Sequence, residues 1–112
     1  MTAATTHRVH ADHPALGGHF PGNPIVPGVV LLALVEADAR ALLGADVQLA
    51  ALPVAKFLAP VLPQESFTIC IEASAELVVT FTIEKPAGSA SVTVASGSMR
   101  FARSATPATA TR

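Results

Sequence analysis

The chain has 112 residues, the size of one small domain with one core, and folding at that length buries roughly 65% of the unfolded surface. Hydrophobic residues make up 51% and charged residues only 13%, so some apolar surface is expected to be covered by a partner chain. A net charge of −1 and the absence of Trp and Tyr argue against nucleic-acid binding, and the longest strictly apolar run, Val29 to Val35, is far shorter than the roughly 20 residues that span a bilayer.

Residues 7 to 24 hold three of the nine prolines and read as a shaped loop that follows a short first strand. Pro27 pre-sets a helical angle, no proline interrupts Gly28 to Leu43, and Gly44 closes the run, which predicts one helix of about four turns. Its first two turns are apolar on every side, which predicts a helix wrapped by other structure. Val47 to Phe57 follows as a strand bent at Pro53, and Pro60 to Pro63 makes a corner.

Phe67, Ile69 and Ile71 then alternate with Thr68, Cys70 and Glu72, and Leu77, Val79, Phe81 and Ile83 alternate with Val78, Thr80, Thr82 and Glu84. Both runs read as half-buried antiparallel strands. Residues 85 to 89 make a turn, and a last strand runs from about Ala90 to Phe101 with a bulge expected at Gly97. One domain over residues 1–103 is expected, with 104–112 as a small, polar, disordered tail. The order implies an α+β fold, an antiparallel sheet curled around one long helix.

Cys70 alone cannot form an internal disulfide and is read as an inert buried thiol. The first eight residues offer no apolar core for a signal peptide, so a cytoplasmic location is expected. His7, His10 and His13 are three residues apart, a spacing that alternates faces in an extended strand, so no metal site is expected.

The segment Gly18-His19-Phe20-Pro21-Gly22-Asn23-Pro24-Ile25-Val26-Pro27-Gly28 and the later Lys56-Phe57-Leu58-Ala59-Pro60-Val61-Leu62-Pro63 resemble the bacterial 3-hydroxyacyl-acyl-carrier-protein dehydratases, above all the short members found in aryl-polyene gene clusters. The resemblance implies a hot-dog fold, a dimer, and a 3-hydroxyacyl thioester substrate on acyl-carrier protein or CoA, with no cofactor. It makes His19 the base that removes the C2 proton, a task suited to an imidazole with a pKa of about 6.5. It makes the Gly28 amide the donor to the thioester oxygen, and Phe20, Pro21, Gly22 and Pro27 the residues that shape the substrate loop.

The sequence departs from that family at one position. The carboxylate that protonates the leaving hydroxyl belongs fourteen residues after the histidine, where this chain has Ala33. Glu36, three residues further on and about 60° round the helix, is a candidate replacement acid. Three readings therefore stand: a dehydratase acting through Glu36, a non-catalytic or half-site subunit paired with a carboxylate-bearing relative in a heterodimer, and a hot-dog acyl thioesterase.

Overall fold

The computed structural model describes residues 1–16 and 25–103. Five strands and one helix follow one another as β1 (Thr2–Arg8), α1 (Gly28–Leu43), β2 (Val47–Phe57), β3 (Ser66–Ala73), β4 (Val78–Ala87) and β5 (Ala90–Arg103). All neighbouring strands pair antiparallel, in the spatial order β1-β3-β4-β5-β2, and α1 packs against β1, β2 and β3. This is the α+β hot-dog arrangement. No helix among the described residues is long and apolar enough to cross a membrane.

Alternation sets the inner face of the sheet. Phe67, Ile69, Ile71 and Ala73 of β3 and Val79, Phe81 and Ile83 of β4 are buried, while Cys70, Glu72 and Thr80 between them point outward. Full burial of Phe67, Ile69 or Ile83 contributes about 1.5–3 kcal/mol each. Cys70 is exposed, which corrects the reading of a buried thiol: it shares the phase of Thr68 and Glu72, and a period of two puts all three on the outer face.

The helix offers Leu31, Val35 and Ala39 to this core, one residue per turn. Gly44 ends it with φ 117°, and the Gly44 N–H donates to the Arg40 carbonyl at 2.8 Å. The chain alone does not wrap α1 on every side. Val29 is 71% exposed, and Ala33, Ala37 and Ala41 continue the same stripe. The apolar pattern within the helix does not show whether a given face is covered by the same chain or by another, and here one face is left open.

The last strand also differs from expectation. Gly97 pairs regularly with Phe81 and Ala55, and the register shift on the β4 side falls between Ile83 and Glu84, leaving Val94 as the extra residue. Glycine is needed at 97 for another reason: a Cβ there would collide with the Val54 carbonyl oxygen. The expected bend of β2 is present, with register shifts from Leu49 to Ala51 and from Ala51 to Val54, around Pro53.

Candidate functional site

The helix start is built without a side-chain cap. Pro27 has an extended conformation, φ −61° and ψ 144°, and its carbonyl accepts from the Val30 N–H at 3.0 Å and the Leu31 N–H at 3.4 Å. Among the described residues no acceptor is bonded to the Gly28 amide. Gly28, at the positive end of the helix dipole, lines a cleft of about 520 Å³. Ile25, Val26, Gly28 and Leu31 form one wall, and residues 57–61 form the other.

Two contacts fix this mouth. The Val26 N–H donates to the Val61 carbonyl at 2.8 Å, which ties the segment entering the helix to the corner after β2. The Phe57 ring lies over Gly28, so close that a Cβ at position 28 would be 2.8 Å from Cζ. A side chain at 28 would have to displace the ring, and glycine keeps the amide accessible.

Ala33 and Glu36 share a second, smaller cleft of about 240 Å³, whose other lining residues include Val29, Leu32, Leu49 and Leu52. Glu36 is half-buried there and, among the described residues, is the only ionisable one in that lining. The spacing of three residues brings both side chains to one space, as anticipated from helical geometry. The structure thus groups Ala33 with Glu36 and places Gly28 at the other cleft, with Pro27 beside it at the helix N-cap. His19, Phe20, Pro21 and Gly22 lie outside the described residues.

Two polar pairs escaped sequence reasoning. His7 Nε2 and Asp38 Oδ2 are 2.8 Å apart, and the His7 ring stacks on Phe67 with centroids 5.8 Å apart. This pair joins β1 to α1, and its signal was the strand phase that puts His7 on the same face as Ala3 and Thr5. Lys85 Nζ donates to Glu65 Oε1 at 3.1 Å and to the Pro60 carbonyl at 2.6 Å, and Glu65 Oε1 also accepts from the Leu62 N–H at 2.8 Å. The Leu62 N–H holds the Glu65 carboxyl below its ordinary value; burial opposes this, and the hydrogen bond and charge of Lys85 each add a smaller lowering effect. No sequence signal linked residues twenty positions apart.

A hot-dog domain with an uncapped helix N-terminus opening on an apolar cleft defines a class of protein suited to holding the carbonyl end of an acyl group. The chain belongs to the ApeI-like family, described as ApeI dehydratase, whose family profile matches residues 1–98. A 3-hydroxyacyl-[acyl-carrier-protein] dehydratase of Symbiobacterium thermophilum is 37% identical over 71 residues, 57% of this chain and 50% of that protein. The chain spans about half the length of the curated relatives it matches.

Among solved structures, an uncharacterized protein from Erwinia carotovora aligns with a TM-score of 0.82 and 25% identity, over 91% of this chain and 83% of that one. The dehydratase heterocomplex ApeI:P from Xenorhabdus doucetiae aligns with a TM-score of 0.80 and 22% identity, over 91% and 88%.

Proposed function

We propose that this chain is a dehydratase-like subunit that eliminates water from a 3-hydroxyacyl thioester, carried on acyl-carrier protein or CoA, to give a trans-2-enoyl thioester in fatty-acid or polyene synthesis. The observation that carries this reading is Gly28, at a helix N-terminus without a side-chain cap, lining an apolar cleft at the end of the His19-to-Gly28 motif. His19 takes the C2 proton. The electron pair moves to form the C2–C3 double bond, and the C3 hydroxyl leaves as water with a proton from an acid. Negative charge developing on the thioester oxygen is met by the Gly28 N–H and the helix end, where a fixed donor is most effective. Phe20, Pro21, Gly22 and Pro27 shape the loop, no cofactor is required by these steps, and the reaction is placed in the cytoplasm.

The acid is the incomplete part. Glu36 lines the same cleft as Ala33, which favours it as the proton donor within this chain. The alternative is a half-site subunit whose acid comes from a related hot-dog chain, and the exposed β2 edge and the open stripe of α1 favour that reading. The X. doucetiae fold neighbour is itself a heterocomplex by description. Pairing is a homodimer in the first case and a heterodimer in the second.

The test is a thioester assay on the purified chain, alone and with a carboxylate-bearing relative. Enoyl product that falls by about 10² to 10⁴ in His19→Ala supports the dehydratase reading. Loss of the product in Glu36→Gln identifies the acid as internal, whereas product only with the relative present identifies a half-site. Release of free thiol without enoyl product contradicts dehydration and supports a thioesterase.

A further inference from the structure

We infer that Lys85 and Glu65 are positioning residues for the Gly28 cleft, acting through the corner at residues 60–65. This rests on the reading of that cleft as the thioester site. Lys85 stands near the end of β4 with its side chain only 16% exposed, and it uses one ammonium to hold two points of the corner, the Pro60 carbonyl and the Glu65 carboxylate. Glu65 in turn ties back to the Leu62 N–H three residues earlier. The corner is thus closed on itself and fastened to the sheet.

What the corner holds explains why this matters. Val61, buried between the two fastened points, gives its carbonyl to the Val26 N–H, two residues before Gly28. Pro60 and Val61 are also part of the cleft wall that faces the helix start. At its far end the corner bonds to the residue just after β1, the Gln64 N–H donating to the Val9 carbonyl at 2.8 Å. The corner is anchored in the core by Val61 and to β5 by the Leu58 and Ala59 N–H groups on the Val94 carbonyl. The charge-assisted bonds from Lys85 add a second fixation at Pro60 and Glu65, on either side of Val61, and a small shift of Val61 would be passed directly to Val26 and the amide of Gly28.

Neither Lys85 nor Glu65 lines the cleft, so the effect is on its shape and not on contact with the ligand. Lys85→Met keeps the apolar stem and removes the ammonium. Glu65→Gln keeps an oxygen for the Leu62 N–H and removes the ion pair, so it serves where the first variant folds poorly.

The experiment reads amide shifts and hydrogen exchange by NMR, together with the affinity for trans-2-octenoyl-CoA as probe. In either variant the Val26 and Gly28 resonances are expected to move, exchange at Val26 and Leu62 to quicken by about tenfold, and probe binding to weaken by a similar factor. Core amides of β3 and β4 should stay as they were, and Lys85→Arg should restore the original shifts. Unchanged Val26 and Gly28 signals in both variants would overturn the positioning role, whatever happens to binding. If the signals move but the unaltered chain binds no octenoyl-CoA, the clamp stands and the thioester reading of the cleft is overturned.

Discussion

Gly28 and Gln64 show how much a single side chain decides here. At Gly28 the obstacle to a larger residue is the tip of Phe57, a ring 49% exposed and able to swing aside. Gly28→Ala should therefore fold with little loss of stability, while the displaced ring disturbs the cleft and lowers turnover. Unfolding curves paired with the thioester assay separate the two effects. Gln64 has φ 72°, where a residue with a Cβ is strained. Gln64→Gly keeps the amide bond to Val9 and should raise stability by about 1 kcal/mol in urea denaturation, strain relief exceeding the added unfolded-state entropy.

Glu65 adds a pH dependence at the same corner. Its folded pKa is lowered, so the carboxylate's contribution is complete above the unfolded value and is lost as pH falls through the folded one. Amide exchange at Leu62 should quicken with acid in the unaltered protein, after correction for intrinsic rates, and should lose that dependence in Glu65→Gln. A motif and a helical spacing singled out Gly28 and Glu36 in the sequence, and each lines a cleft, Glu36 beside Ala33. The Lys85–Glu65 pair had no such signal because its meeting depends on how far β4 runs beside the corner, a matter of tertiary register.

At the scale of elements, the helix and strands were legible because their patterns are local: Pro27 and Gly44 bracket α1, and strict alternation marks β3 and β4. The bulge was misplaced because glycine in a strand has two explanations, an extra residue or a close neighbour, and the sequence does not distinguish them. Here the neighbour is the Val54 backbone. Gly97→Ala should force β2 away from β5 and reduce stability by about 1–3 kcal/mol in denaturant unfolding. Exchange should rise first among β2 amides, whereas a uniform rise across β3 and β4 would count against a local displacement.

The whole molecule presents β2 as an eleven-residue edge strand carrying exposed Leu49, Leu52, Val54 and Phe57, continuous with exposed Val29 on α1. An edge of that length and composition is a template for pairing with another chain. The high apolar content led to the expectation of a partner chain, although not to its identity. Val54→Lys should weaken self-association by at least about tenfold in sedimentation equilibrium if the second chain is a copy. No change in a protein that is already monomeric would favour a different subunit.

The division of the site follows the same boundary. On the proposed reading the thioester oxygen is met by Gly28 of this chain, whereas the position proposed for the acid holds Ala33, in the lining of a cleft that opens on the exposed face. The direct test is the rate of enoyl-thioester formation by the purified chain before and after Ala33→Asp, each measured with and without His19→Ala. A gain on the order of 10² or more in Ala33→Asp, abolished by His19→Ala, is the expected result. Equal rates before and after, insensitive to His19→Ala, would contradict a dehydratase site built on His19 and completed at position 33.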